Sequence, residues 1–364
     1  MSAQPVPFAD PGRAARAELQ DLTAALQRVV QRGRFILAEE VRAFEAEFAV
    51  ACGLKHAVGV ATGTDAIELA LRALDIGAGD EVVTPANTCV PTIAAIARAG
   101  AVPVLCDADR TGSMDPASAA AAISPATRAI VPVHLYGHCA DMAQLCALAR
   151  ERQVHVIEDC AHAVGATIDG RPAGSFGVLA CFSFYPTKQL AALGDAGAVA
   201  TTDAGLAERV RALRTYGDRQ PGVNSRMGEL QAAFLRARLA RLDAERTRRE
   251  ALAHRYDEAL AGGPVTPLPR HPGRRHALHL YVVEVEQRDA FRAALAQAGI
   301  ATGVHYSPAL NAQPAWRDVV RTPVPLAVAE SLASRVVSLP LFPTLRDAEQ
   351  SVVLEAVRRA SRDA

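Results

Sequence analysis

The alternation of β-rich runs with helical patterns between residues 56 and 201 constrains the fold more than any other feature. Helical patterns such as "TDAIELALRAL" (64–74) and "DMAQLCALARERQ" (141–153) separate the earlier runs. Repeated strand–helix–strand order predicts an α/β fold with a mainly parallel sheet sandwiched by helices. The predicted strands of this seven-stranded sheet are 57–61, 81–85, 102–107, 128–135, 154–159, 180–184 and 197–202.

The pattern changes after residue 203. Long amphipathic runs predict helices to about residue 260, and a Pro- and Gly-rich connection follows at 261–275. Beyond it, a strand at 278–285, a helix at 288–299 and two further helices form an α+β pattern. We therefore expect a large α/β domain over 1–250, with an N-terminal helical segment, and a small C-terminal α+β domain over 251–364.

Charge and hydropathy patterns argue against a nucleic-acid-binding protein, a membrane protein and a secreted protein. The formal net charge is zero, so the chain lacks the broad basic field of a nucleic-acid-binding protein. The arginine cluster "AERTRRE" (244–250) is interpreted as the solvated face of a helix. No stretch approaches the ~18 apolar residues of a membrane helix, and no signal peptide is recognisable, so we expect a cytoplasmic protein without a membrane partner.

Residues that commonly bind metals show no convincing pattern. The seven cysteines include no CxxC pair, which argues against a zinc site and against a disulfide framework. His134 and His138 stand four apart, but in a strand and turn, where this spacing does not place both rings on one face. We therefore expect no metal.

Two segments at strand ends could bind a ligand. Asp159 ends the strand of "VHVIEDCAHAVGA", and the carboxyl ends of parallel strands line the ligand crevice of such sheets. Gly63, Thr64 and Asp65 lie between a strand and a helix, where free amides could hold a phosphate. Both segments also have purely structural interpretations. Asp159 could be an ordinary loop carboxylate, and Gly63 to Asp65 could begin an ordinary helix capped by Thr. No GxGxxG or GxxxxGK[ST] motif is present, which argues against a nicotinamide-dependent dehydrogenase.

Lysine is scarce, which draws attention to Lys188. The chain has 39 Lys+Arg, and only Lys55 and Lys188 are lysines. Lys188 follows the strand in "CFSFYPTKQL". A lysine amine can form a Schiff base and loses its proton when desolvated, whereas arginine does neither usefully. We therefore predict a chemical role for Lys188 and a surface role for Lys55.

Several ordered motifs together carry a resemblance that extends from "VPFAD" to "VVSLPLFP" (336–343), nearly the whole chain. The chain resembles the DegT-type (DegT/StrS) sugar aminotransferases, which are pyridoxal 5'-phosphate enzymes of the aspartate aminotransferase fold type I. The motifs that carry the resemblance are "GTDAIELALRAL", "VVTPANT", "AIVPVHLYGHCADM", "EDCAHAVGA", "SFYPTKQLAALGDAGAV", "VNSRMGELQAAFL" and "TGVHYSPALNAQPAW".

The resemblance implies roles for individual residues. Lys188 would carry the cofactor as a Schiff base and move a proton, and Asp159 would pair with the protonated pyridine nitrogen. The active site would be shared in a homodimer, with Asn224 of the partner subunit completing the phosphate site. The other implied cofactor-binding positions are Gly63, Thr64, Asp65, Cys89, His162 and Ser183, and the implied substrate positions are Arg226, His305, Tyr306 and Asn311.

Four positions depart from the pattern of the family. His162 stands where Gln is common, and its ring can still donate a hydrogen bond to the phenolic oxygen of the cofactor. Cys89 stands where an aromatic usually stacks on the pyridine ring, so this contact is smaller here. Gln189 replaces Asn, and Asn311 replaces His.

The implied reaction is transfer of an amino group from an amino acid, expected to be L-glutamate, to a nucleotide-linked keto-deoxysugar. The resemblance favours a dTDP-linked sugar aminated at carbon 3. The alternatives are amination at carbon 4, a sugar dehydratase of the same fold and a non-catalytic PLP-binding regulator. Dehydratases of this fold carry histidine in place of the lysine, so Lys188 argues against that reaction.

Overall fold

A computed structural model describes residues 5–218 and 220–361. The helices are α1 Pro11–Ala17, α2 Leu19–Arg32, α3 Glu39–Ala51, α4 Gly63–Ala73, α5 Val90–Arg98, α6 Pro116–Ala122, α7 Met142–Arg152, α8 Ala204–Leu213, α9 Glu229–Leu239, α10 Leu242–Leu260, α11 Arg288–Gln297, α12 Ala327–Arg335 and α13 Asp347–Ala360. The strands are β1 His56–Val60, β2 Glu81–Pro85, β3 Val102–Cys106, β4 Thr127–Ile130, β5 His155–Asp159, β6 Thr167–Ile168, β7 Arg171–Pro172, β8 Leu179–Ser183, β9 Gly197–Thr201, β10 Thr266–Pro267, β11 Arg274–Arg275, β12 Tyr281–Glu284 and β13 Val336–Leu339.

The predicted seven-stranded sheet is confirmed, in the order β1-β9-β8-β5-β4-β2-β3. Neighbouring strands are parallel except at β9, which runs antiparallel to both β1 and β8. The α/β class and the mainly parallel sheet are thus as expected. β4 is shorter than the predicted run 128–135 and ends at Ile130, because Pro132 has no amide to extend the hydrogen-bonded ladder.

The C-terminal part of the chain forms a second, antiparallel sheet in the order β10-β12-β13. Its core contains Tyr256 of α10 and Val353 of α13, and it also contains Val6, which bridges to Ile300. The N-terminal segment therefore packs on the C-terminal unit. The expected division at residue 250 falls within α10, and it stays a prediction. Among the described residues, no helix has both the length and the hydropathy of a membrane span.

Aromatic packing orients strand β8. Phe182 and Phe184 are fully buried and lie edge-on to Phe48 of α3, with ring centroids 4.9 and 5.0 Å away. Since side chains alternate along a strand, Ser183 between them points to the opposite side. The packing of α3 therefore determines which way Ser183 faces.

Glu158 holds a loop against the end of β5. Its Oε1 accepts hydrogen bonds from the amides of Phe176 and Gly177 at 2.7 and 2.6 Å, and its Oε2 accepts one from Gly174 at 2.8 Å. This carboxylate has no exposed surface. Three charge-assisted bonds therefore fix the residue immediately before Asp159.

His134 completes the same network. Its Nε2 lies 2.9 Å from Glu158 Oε2, and its Nδ1 accepts the amide of Ala140 at 3.1 Å. The ring proton therefore lies on Nε2 and is donated to Glu158. Cys160 is close enough for these three residues to surround a metal, but the ring nitrogens and both carboxylate oxygens already have partners within the protein.

We predict that Glu158→Gln lowers the free energy of unfolding by about 2 to 4 kcal/mol. The NH2 group of the new side chain would face a buried backbone N–H group, and because both are donors neither would have a hydrogen-bond acceptor. Urea denaturation measures the change, with the exposed substitution Glu151→Gln as the control. An unchanged midpoint would contradict the structural role of Glu158.

Candidate active site

A cavity of about 470 Å³ lies at the carboxyl edge of the large sheet. It is lined by the ends of β5 and β8, the first turn of α4, the start of α5 and residues from the C-terminal unit. Nine of the residues predicted from the sequence line it: Gly63, Thr64, Cys89, Asp159, His162, Ser183, Lys188, His305 and Tyr306.

The first turn of α4 forms an anion cradle against β8. A Cβ added to Gly63 would lie 2.6 Å from Ser183 Cβ, so only glycine allows this approach. Thr62 caps the helix by accepting the amide of Asp65 at 3.0 Å. The amides of Gly63 and Thr64 have no hydrogen-bond acceptor in the part of the chain described here. Together with the Ser183 hydroxyl, they can bind a phosphate.

Asp65 lies behind this cradle. Its amide donates a hydrogen bond to the Thr62 hydroxyl. Its carboxylate accepts a hydrogen bond from the Ser225 hydroxyl at 2.8 Å and forms an ion pair with Arg98 at 3.0 Å. The side chain is not part of the cavity lining. Asp65 therefore supports the start of α4 in this structure, where its amide is bonded to Thr62, and its role in cofactor binding stays a prediction.

Asp159 presents a buried carboxylate to the cavity. Oδ1 accepts the amide of Ala161 at 3.0 Å, and Oδ2 accepts the hydroxyl of Thr92 at 2.9 Å. Burial nevertheless raises the pKa of Asp159. A cationic N–H of a bound ligand would stabilise the carboxylate form, and a pyridinium group provides one.

Lys188 lines the same cavity, and its side chain is half-buried. Desolvation lowers the pKa of its amine to about 8, and attraction to Asp159 offsets only part of this effect. A substantial fraction of the amine is therefore neutral slightly above neutral pH, which is the form that attacks a carbonyl group.

His162 is a neutral hydrogen-bond donor. Its Nδ1 accepts the amide of Tyr136 at 3.2 Å, and burial lowers its pKa well below the usual range. We therefore assign the proton to Nε2, which leaves that atom free to donate. The side chain of Gln189 donates to the backbone oxygen of His162 and holds it in place.

Cys89 occupies the N-cap position of α5 without a side-chain capping bond, and its thiol lies beside the hydroxyl of Tyr306. Burial raises the pKa values of both groups, so both are neutral. The Tyr136 hydroxyl donates to the backbone oxygen of His305 at 2.5 Å. The segment 305–306 of the C-terminal unit is thus attached to the edge of the large sheet at two points.

Besides Asp65, three predicted residues, Asn224, Arg226 and Asn311, do not line the cavity of their own chain. Asn224 is exposed and accepts a hydrogen bond from Arg226 Nε at 2.8 Å. Asn311 donates to Glu330 at 2.8 Å. The role of Asn224 in a partner subunit and the substrate roles of Arg226 and Asn311 stay predictions.

The structure adds two residues that the sequence did not identify, His279 and Arg249. The ring centroid of His279 lies 4.2 Å from that of His162, and burial lowers its pKa well below the usual range. Its position within a strand-like run gave no signal of function. Arg249 belongs to the cluster interpreted as a solvated helix face. That interpretation is wrong for Arg249, which is 5% exposed.

Known proteins resemble the chain over nearly its whole length. The sequence model of the DegT/DnrJ/EryC1/StrS aminotransferase family matches residues 17–358. The dTDP-3-amino-3,4,6-trideoxy-alpha-D-glucose transaminase of Streptomyces venezuelae is 46% identical, and the match covers 97% of this chain and 95% of the relative.

Two solved structures have the same fold. DesV of S. venezuelae, solved in complex with a ketimine intermediate, has a TM-score of 0.95 and 43% identity, with 99% of each chain covered. NtdA of Bacillus subtilis, solved with bound cofactor PMP, has a TM-score of 0.92 and 29% identity, with 100% of this chain and 86% of NtdA covered.

We predict that Lys188 reduces the stability of the cofactor-free protein in a pH-dependent way. Its pKa is about 8 when folded, against an ordinary value of 10.5, so the charged amine disfavours folding below pH 8. Between these two pKa values the unfolded chain binds the additional proton, and stability rises with pH. The full effect is about 3 kcal/mol.

Urea unfolding of the wild type and Lys188→Met at about pH 7 and about pH 10 isolates this effect. The stability advantage of the variant should shrink as the pH rises, whereas other groups titrate alike in both proteins. Lys55→Met serves as the surface control. A difference between Lys188→Met and wild type that does not change with pH would contradict the burial of a charged amine.

Proposed function

The chain belongs to the DegT/DnrJ/EryC1/StrS aminotransferase family, and from this premise we propose that it transfers an amino group from an amino acid to a nucleotide-linked keto-sugar. The resemblance found in the sequence is thereby confirmed at the level of the family. The observation that carries the proposal is the position of Lys188 and Asp159 in one cavity with the Gly63–Ser183 cradle.

The cavity fits pyridoxal 5'-phosphate. The free amides of Gly63 and Thr64 and the Ser183 hydroxyl would hold the phosphate. Asp159 would pair with the ring nitrogen, and Lys188 would hold the aldehyde carbon through its amine. NtdA, which binds PMP, has the same fold and supports this cofactor.

When bound, this cofactor supplies an electron sink for the carbanion that forms as a substrate carbon loses its proton. Asp159 would keep the ring nitrogen protonated, since its carboxylate is fixed by Thr92 and Ala161. Lys188 Nζ would remove the proton from the α-carbon of the amino donor and later deliver a proton to the sugar carbon that receives nitrogen. His162 Nε2 would donate a hydrogen bond to the phenolic oxygen.

The sugar substrate is inferred from the relatives. The transaminase of S. venezuelae is named for a dTDP-linked sugar with its amine at carbon 3, and it matches 97% of this chain. We infer a dTDP-linked 3-keto-6-deoxyhexose as the acceptor and L-glutamate as the donor. Amination at carbon 4 uses the same residues, so a substrate panel must distinguish the two.

The proposal includes a homodimer with shared active sites. Asn224 is exposed and Arg226 half-buried, and neither lines the cavity of its own chain. This placement leaves both available to a second subunit. Light scattering tests the assembly, and a fully active monomer would contradict it.

The function is tested with a panel of nucleotide keto-sugars and L-glutamate. We expect 2-oxoglutarate to form with a dTDP-linked 3-keto-sugar, and NMR to place the new amine at carbon 3. Borohydride should attach the cofactor irreversibly to Lys188. Lys188→Arg should fold but lose at least about 1,000-fold in turnover, because the guanidinium cannot bond to the cofactor.

Labelling at Lys55, or no labelling, would contradict the assignment, as would near-normal turnover of Lys188→Arg. Lys55→Arg is the matched control, because Lys55 lies outside the cavity lining. Turnover with a 4-keto-sugar alone would favour amination at carbon 4.

We predict that Asp159→Asn retains bound cofactor but slows proton removal from L-glutamate by about 100-fold, because a neutral amide stabilises a pyridinium poorly. Exchange of the α-hydrogen of glutamate in D2O, followed by NMR, measures this step. Asp107→Asn is the control, since Asp107 is buried and hydrogen-bonded to Val328 and Ala329 outside the cavity. Exchange at the wild-type rate would remove Asp159 from the mechanism.

A further inference from the structure

Tyr136 has an uncommon backbone conformation beside the active-site cavity. Its φ of 61° and ψ of −6° lie near the left-handed region, which is sterically costly for residues other than glycine. Tyr136 is 2% exposed and does not itself line the cavity. Conformations of this kind persist only where the surrounding structure holds them, and they cluster at functional sites. The hydrogen bonds of Tyr136 indicate what this conformation achieves.

Three hydrogen bonds connect Tyr136 to three different segments that line the cavity. Its amide donates to His162 Nδ1 at 3.2 Å, and its hydroxyl donates to the backbone oxygen of His305 at 2.5 Å. Its backbone oxygen accepts the amide of Leu280, which follows His279 in the chain, at 3.2 Å. Each of the three histidines that line the cavity is thus held by Tyr136, either directly or through a neighbouring residue.

Gly137 continues the same turn, with a φ of 103°. Its backbone oxygen accepts the amide of Ala277 at 2.8 Å. A Cβ at this position would lie 2.9 Å from the amide nitrogen of Leu278, so only glycine fits here. Two successive backbone oxygens of the turn therefore accept hydrogen bonds from segment 277–280, and this arrangement places His279 at the cavity.

The hydroxyl of Tyr136 holds the third segment across the boundary between the large sheet and the C-terminal unit. His305 belongs to the C-terminal unit, where its Nδ1 lies 2.8 Å from the Ser338 hydroxyl of β13. Tyr136 belongs to the segment that follows β4 of the large sheet. Burial raises the pKa of the Tyr136 hydroxyl, so this group keeps its proton and can donate a hydrogen bond to His305. This bond therefore helps to fix His305 and Tyr306 relative to the large sheet.

We propose that Tyr136 is a positioning residue that orders segment 305–306 before the keto-sugar substrate binds. The proposal rests on the proposed function, in which a nucleotide-linked sugar enters this cavity. Segment 305–306 lines the cavity, and the chain becomes exposed directly after it, at Ser307 and Pro308. A nucleotide-linked sugar is much larger than L-glutamate and extends towards this rim. Because an ordered segment loses less freedom when a ligand binds, the hydrogen bond from Tyr136 favours binding of the sugar.

The test compares Tyr136→Phe with the matched control Tyr256→Phe. Both substitutions remove only a hydroxyl, and Tyr256 is likewise buried and donates to the backbone oxygen of Pro340 at 2.9 Å. Tyr256 lies outside the cavity lining. For Tyr136→Phe we expect the KM for the dTDP-linked 3-keto-sugar to rise about 10-fold. The kcat and the KM for L-glutamate should stay within about 2-fold of wild type, because Lys188 and Asp159 keep their contacts.

The control distinguishes a positioning role from a general loss of stability. Both variants should unfold at a lower urea concentration than wild type, since each loses a buried hydrogen bond. Only Tyr136→Phe should show the rise in KM for the keto-sugar. An equal rise in Tyr256→Phe would overturn the proposal, because the effect would then follow from the loss of any buried hydroxyl.

Amide hydrogen exchange measures the order of the segment without any turnover. In holoenzyme without sugar, peptides that cover residues 303–307 should exchange faster in Tyr136→Phe than in wild type, because their backbone is held less firmly. Peptides from α13 should exchange at the wild-type rate. Equal exchange of the 303–307 peptides in the variant and in wild type would overturn the role of Tyr136.

The activity of wild-type protein separates this proposal from the proposed function. If wild type forms no 2-oxoglutarate with any keto-sugar of the panel, the proposed function fails, and the role in sugar binding fails with it. If wild type is active and the KM for the keto-sugar is the same in Tyr136→Phe, only the role of Tyr136 is overturned.

Discussion

The site depends on the close contact between the first turn of α4 and the end of β8. A side chain at Gly63 would collide with Ser183, and one at Gly197 would place its Cβ 2.4 Å from the backbone oxygen of Thr62. These two glycines let the β1–α4 connection lie directly on β8 and β9. Free helix amides and a strand hydroxyl thereby meet at one point, beside the strand that carries Asp159.

Burial determines the charges around this point. It raises the pKa of Asp159, lowers that of Lys188 to about 8 and keeps His162 neutral. Each shift favours the neutral form, so the protein alone leaves these groups poorly stabilised as ions. A ligand with a protonated ring nitrogen, an aldehyde and a phenolic oxygen would suit Asp159, Lys188 and His162, and its phosphate would suit the cradle of α4 beside them.

Local patterns predicted most of the fold, because strands and helices in this chain are bounded by clear turn residues. Lys188, Asp159 and Gly63 were found because each lies within a single short motif. Arg249 and His279 come from α10 and from the segment before β12, and nothing local indicated that tertiary packing would bring them to the cavity. The charged run at 244–250 predicted a helix face exposed to solvent. The packing of α10 instead buries Arg249 of this run almost completely.

Cys89 replaces the aromatic residue that is usual in the family, and the effect of this replacement depends on which side chains surround position 89 in the folded protein. Cysteine offers less surface to a pyridine ring than an aromatic side chain does. The aromatic side chain beside Cys89 is that of Tyr306, which lines the same cavity but comes from the C-terminal unit. Tyr136 holds the adjacent His305 through its backbone oxygen. The aromatic surface beside position 89 therefore depends on the contact between the large sheet and the C-terminal unit, and not on the local sequence of α5.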